Sequence, residues 1–195
     1  MYAIIYMNLN EKKNPVIVHS MGIEPERLKQ ALEKDDAGPG NYQKKVVNYT
    51  VDANNKFKLE GLADNPGERG VFTLEDREKI ERALSTAQLI LKLGEYSTNK
   101  KKEVDSGGPF KKFKARFSQA FNLGRSPKEK AEAADALIAT LKDPKAVSEM
   151  KKHHVKALTS GTLAQTVKQA PHVYQAVKKQ AENLNEKSSN SMRLH

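Results

Sequence analysis

Between Tyr2 and Leu9 almost every position is apolar, and the stretch Asn10 to Pro15 that follows is polar. A second apolar run covers Val16–Ser20. Two short apolar runs around a polar loop predict a hairpin, with the first strand buried. Glu24-Pro25-Glu26 then opens a short helix to about Lys34. Proline suits the first helical position, and acids suit the positive end of the helix. Asp35-Asp36-Ala37-Gly38-Pro39-Gly40 stops it. Period two returns next. Val47, Tyr49 and Val51 alternate with Asn48 and Thr50; beyond Asn54-Asn55, Phe57 and Leu59 alternate with Lys56, Lys58 and Glu60. This predicts a second hairpin around an Asn-rich turn. Asp64-Asn65-Pro66-Gly67-Glu68-Arg69-Gly70 follows as a loop.

From Thr73 the period becomes helical. Thr73 and Asp76 stand at capping-box spacing, and Ile80, Leu84, Ala87 and Leu91 mark one face of a helix to about Tyr96. Residues 97–108, STNKKKEVDSGG, read as an exposed flexible linker. Pro109 begins another helix, stopped by Asn122-Leu123-Gly124. Ser126-Pro127-Lys128-Glu129 sets serine at a cap, proline first and glutamate third, a complete helix start. Ala134, Leu137, Ile138 and Leu141 are its buried stripe. Asp143-Pro144 opens a helix with Val147, Met150, His154 and Leu158 on one face. Leu163, Val167, Ala170, Tyr174, Val177, Ala181 and Leu184 then form a heptad-like seam, which Pro171 should kink or break near Ala170. That interruption suits packing within one chain, so a monomer is expected.

The pattern predicts an α+β fold: an N-terminal ββαββα-like antiparallel sheet unit followed by a mainly α-helical C-terminal half. Its parts are an α+β scaffold at 1–96, a flexible basic linker at 97–108, a basic helical region at 109–185 and a polar tail at 186–195.

Charge sharpens this division. The net charge of +10 is carried by the second half: residues 1–95 hold 14 Lys+Arg against 15 Asp+Glu, and residues 96–195 hold 20 against 9. A basic half of this kind meets phosphates, anionic lipid or an acidic protein face. The chain contains no cysteine, which excludes disulfides, thiolate chemistry and Cys-containing zinc sites. The N-terminal apolar run is too short for a signal peptide or a membrane span, and no other stretch is longer. A soluble, cytoplasmic chain is therefore expected.

Catalytic signatures are missing. Gly38-Pro39-Gly40 lacks the third glycine and following helix of a dinucleotide loop. Gly67-Glu68-Arg69-Gly70 has the GXXG form of KH RNA-binding loops, but follows a strand where that loop joins helices. Asp35-Asp36 and Asp52 lack the alternating ligands of a calcium loop, and no Ser, His and Asp fall into triad order. His153-His154 point about 100° apart on a helix, with no carboxylate at ligand spacing along the chain. His154 falls on the inward face, as a core histidine, and no metal or other cofactor is expected. Arg77 and Arg82 should pair with Glu75, Glu78 and Glu81.

The reading that remains is a non-enzymatic binding or regulatory module. Its basic helical half would contact an acidic protein, a nucleic acid or an anionic surface through Lys100, Lys101, Lys102, Lys111, Lys112, Lys114, Arg116 and Arg125. The alternative starts from the tail Glu182–Leu194, where Ser188, Ser189, Ser191 and Met192 give a segment similar to the C-terminal export signals of intracellular pathogens. It implies a bacterial effector or toxin-like protein, exported into a host cell or against a competitor, with or without an enzymatic activity.

Four of the six phenylalanines, Phe110, Phe113, Phe117 and Phe121, fall within an arc of about 80° if residues 109–121 are helical. Packing on the protein's own helices is the commonest use of such a face, ahead of a partner groove or a lipid interface. On that basis Phe117→Ala costs roughly 3–5 kcal/mol in a thermal or denaturant melt. Changing Lys111, Lys112, Lys114 and Arg116 to Gln leaves the fold intact. A folded Phe117→Ala protein that has lost binding to vesicles or a partner would instead make the stripe an exposed anchor.

Overall fold

The computed structural model describes residues 1–8, 15–33, 40–63, 72–106, 126–143 and 150–191, with side chains of the last segment through Leu184. The chain divides into two compact units, Met1–Ala87 and Gln88–His195.

The first unit is built on a four-stranded antiparallel sheet of order β2-β1-β3-β4. Its strands are β1 (Tyr2–Met7), β2 (Ile17–Ile23), β3 (Gln43–Val51) and β4 (Phe57–Leu62). A single 3₁₀ turn, Pro25–Arg27, and helix α1 (Leu28–Glu33) follow β2. Both predicted hairpins form: β1 pairs with β2, and β3 with β4. β3 is longer than the alternation suggested because its first half pairs with β1, Tyr2 facing Asn48 and Met7 facing Gln43. That pairing joins the two hairpins into one sheet.

The β3–β4 turn is held by Asp52. Its Oδ1 accepts the N–H groups of Asn54 at 2.8 Å and Lys56 at 2.9 Å, while Asn55 takes a left-handed conformation with φ 59°. Asn is among the few residues other than glycine that tolerate that region. One sheet face carries Ala3, Ile5, Met7, Val47, Tyr49, Phe57 and Leu59, packed with Phe72, Ile80 and Leu84 into the first core. The Tyr49 and Phe57 rings lie 5.5 Å apart. The Tyr49 hydroxyl accepts the Gly22 N–H at 2.9 Å, and burial pushes its phenol above its ordinary pKa.

Helix α2 (Leu74–Asp105) starts at the expected capping box: the Asp76 N–H donates to Thr73 Oγ1 at 3.1 Å, and the Thr73 N–H to Asp76 Oδ2 at 3.2 Å. It runs nine residues beyond Tyr96, which corrects the linker expected at 97–108: residues 97–105 are helical. Lysine and glutamate are good helix formers, so a charged stretch without Gly or Pro does not end a helix. Those breaker glycines come only at 107 and 108, outside the described residues. Ser97 is buried, Lys100 pairs with Glu103 and Lys101 reaches Asp135. The boundary between compact units accordingly falls inside α2, not after it.

The stripe read along α2 also needs correction. Ile80 and Leu84 lie in the first core, but Leu91 is 59% exposed, and the buried apolar positions beyond the boundary are Leu89 and Leu93. A helix packed in two different cores does not keep one buried face. Arg77 also reaches the sheet. Its Nη1 donates to the Leu59 carbonyl at 3.4 Å, and Glu81 Oε1 accepts the Leu59 N–H at 2.9 Å. Arg82 pairs with Glu78, at 3.5 Å.

The second unit is helical. Besides the C-terminal part of α2, it contains α3 (Pro127–Lys142), α4 (Lys152–Leu158), α5 (Gly161–Lys168) and α6 (Pro171–Ser191). α3 begins at the predicted capping box of Ser126 and Glu129. α5 and α6 are separate helices, broken at Gln169-Ala170, with Pro171 opening α6 where its missing N–H is not needed. Leu163, Val167, Ala170 and Val177 of the seam are buried with Leu137, Val155 and Leu158 in the second core. Val147 and the whole phenylalanine segment lie outside the described residues. No helix among the described residues is long and apolar enough to cross a membrane.

Packing outweighs single hydrogen bonds in the first unit. Leu84→Ala, which opens a cavity against the sheet, should cost roughly 2–5 kcal/mol. Tyr49→Phe keeps the ring and deletes one bond to an exposed glycine, so about 1 kcal/mol is expected. Denaturant melts of the two variants measure the contrast, and equal losses would contradict it.

Candidate functional site

Three of the eight cations proposed for acidic-partner contact lie among the described residues, on the last turns of α2. Lys100 sits with its ammonium 5.7 Å from the Tyr96 ring centroid and 2.6 Å from Glu103 Oε1, its side chain 23% exposed. Lys101 reaches Asp135 Oδ2 of α3 at 2.8 Å. Lys102 is exposed. Two of the three are therefore already engaged with an acid of their own chain. Lys111, Lys112, Lys114, Arg116 and Arg125 lie outside the described residues.

A second group of cations was not singled out by sequence density. Between Met150 and Leu184 stand Lys151, Lys152, Lys156, Lys168, Lys178 and Lys179, all exposed, against one acidic residue, Glu182. Their spacing follows from helix geometry. α4 buries Val155, Ala157 and Leu158, and α5 buries Leu163, Ala164 and Val167, so charged residues between those positions face solvent. Lys168 also lies 5.5 Å from the Tyr174 ring centroid, across the break between α5 and α6.

The third feature is a cluster of three possible metal-ligating side chains. Glu132 lies on α3; His153 and His154 occupy the first turn of α4. Lys151 takes extended backbone angles as the N-cap, and Thr159 and Ser160 end the helix by donating their hydroxyls back to the Val155 and Lys156 carbonyls. One ligand-capable atom from each of Glu132, His153 and His154 lies within 4.8 Å of the other two. The imidazole rings meet edge to face with centroids 4.2 Å apart. Glu132 and His153 are exposed and His154 is half-buried; its Nδ1 is buried with no hydrogen-bond partner among the described residues. Burial pushes the His154 imidazole below its ordinary pKa, with His153 and Lys151 adding to the shift and Glu132 opposing it.

No carboxylate stands at ligand spacing from the histidine pair along the chain, but one lies beside it in space. Glu132 is distant along the chain, and packing of α3 with α4 brings it close. Adjacent side chains diverge by about 100° on a helix axis, yet rotation about χ1 and χ2 returns two rings to one neighbourhood. His154 is less satisfied than the core role expected of it, because one ring nitrogen is left unpaired. Burial leaves two more polar atoms of this unit without partners among the described residues, Tyr96 Oη and Ser97 Oγ. Burial raises the Tyr96 phenol pKa, with Lys100 pulling it down.

No protein-family model matches the chain, and no characterised protein or solved structure matches it.

Proposed function

We propose that the chain is a binding module whose helical unit engages a polyanionic partner through exposed lysines. The observation that supports this most is the run Lys151, Lys152, Lys156, Lys168, Lys178 and Lys179 on α4 to α6, with Glu182 the only acid between Met150 and Leu184. Lys102 and the cations at 111–116 and 125 add to the same charge. Lys100 and Lys101 contribute less, because their ammonium groups already face Glu103 and Asp135.

The chemistry favours recognition by charge more than by shape. Every permanent cation from Met150 to Leu184 is a lysine. An ammonium is a compact, hydrated point charge on a flexible stem, without the planar fork by which arginine grips a phosphate or carboxylate in two places. Such contacts release counterions and weaken steeply with salt.

The test is titration of the full chain, at several salt concentrations, against a labelled single-stranded RNA oligomer, polyglutamate and anionic vesicles. Binding to at least one is expected at low salt. Lys151, Lys152 and Lys156 changed together to Gln should leave the melting temperature nearly unchanged, since exposed charges contribute little. For the RNA arm, the same variant should flatten the slope of log K against log salt by about two to three. Undiminished binding and slope in that variant would make these lysines a solvated surface only.

A further inference from the structure

We propose that Glu132, His153 and His154 form a binding site for one borderline divalent transition ion of the zinc class, with three protein ligands and one position open to water.

The donor set is the first reason. Two imidazoles and one carboxylate suit an ion that accepts both nitrogen and oxygen, and three protein ligands plus a water complete a tetrahedron. Geometry is the second. The three donor atoms lie within 4.8 Å of one another, whereas a zinc shell with bonds of about 2.0–2.2 Å holds its donors about 3.3 Å apart. The remaining contraction is a matter of side-chain rotation. Glu132 and His153 are exposed, so their rotation disturbs no core packing. The third reason is the buried Nδ1 of His154, which lacks a hydrogen-bond partner among the described residues. A buried ring nitrogen without a partner is costly, and a site that uses either nitrogen of this ring fixes its tautomer and orientation.

The Lys128–Glu132 contact must yield. Lys128 stands 3.9 Å from Glu132, with side chains 75% and 47% exposed, a pair at the outer limit of an ion contact that contributes little. Lys128 and Lys151 also set positive charge around the cluster. That field disfavours an ion held by charge alone, such as Mg²⁺ or Ca²⁺, which in any case take oxygen ligands. It disfavours less an ion held by coordinate bonds to nitrogen. Because Glu132 is on α3 and the histidines are on α4, a bound ion would tie those two helices together.

The experiment uses the full chain, without an affinity tag and stripped of metal by a chelator, titrated with ZnCl2 by calorimetry and by thermal melting. One Zn²⁺ per chain is expected, with a dissociation constant below about 100 μM. The melting temperature should rise as zinc is added, because the ion binds the folded chain preferentially. Glu132→Gln and His153→Gln change exposed positions, so both should melt like the parent without metal and bind zinc at least tenfold more weakly. His154→Gln is a poorer probe, since its site is half-buried. Absence of saturable binding, undiminished affinity in both Gln variants, or Mg²⁺ binding as tight as Zn²⁺ would each overturn the site.

Discussion

The burial of β1 on both faces is the constraint on which the first unit depends. Ala3, Ile4 and Ile5 have no exposed surface, and Tyr6 and Met7 are nearly as enclosed. A strand flanked by β2 and β3 has backbone neighbours on both sides, so what its side chains still require is apolar cover above and below. Ala3, Ile5 and Met7 find it in the core that includes Ile80 and Leu84 of α2. A polar residue at any of these positions would have to be buried, which explains why the run has no alternation.

What could be read from the sequence was what is decided locally. The Val47-Tyr49-Val51 and Phe57-Leu59 alternation marks two strand faces directly, and a hairpin needs only its own turn. The capping boxes at Thr73 and Ser126 are four-residue patterns, and a proline inside a helical run kinks or breaks it by its own chemistry. The β1–β3 pairing could not be read this way, because no local signal says which of two hairpins lies beside which. Leu91 was misassigned for a related reason. A helical period is informative only while one partner covers the helix, and α2 supplies Leu84 to one core and Leu89 to another.

The functional residues divide along the same line. Excess positive charge in residues 96–195 is a property of composition and needs no fold to be seen. Whether a given lysine is available to a partner is a property of packing. Lys101 finds Asp135 on another helix, while Lys151 and Lys156 stay exposed beside the buried Val155 and Ala157. Likewise the histidine pair looked unsuited to share an ion until helix packing brought Glu132 beside it. Sequence spacing identifies ligand sets that lie on one element and misses those assembled from two.

The contact of α2 with β4 has a consequence for how the sheet meets other chains. β4 is an outer strand, and such strands present unpaired N–H and C=O groups that invite a foreign strand to dock. At Leu59 both groups are already occupied, the N–H by the Glu81 carboxylate and the carbonyl by the Arg77 guanidinium. An incoming strand would have to displace two ionised side chains from the middle of β4 before it could zip along it. The two residues therefore act as a lock against fibril-like growth of the sheet from that side, built from two charges one helical turn apart.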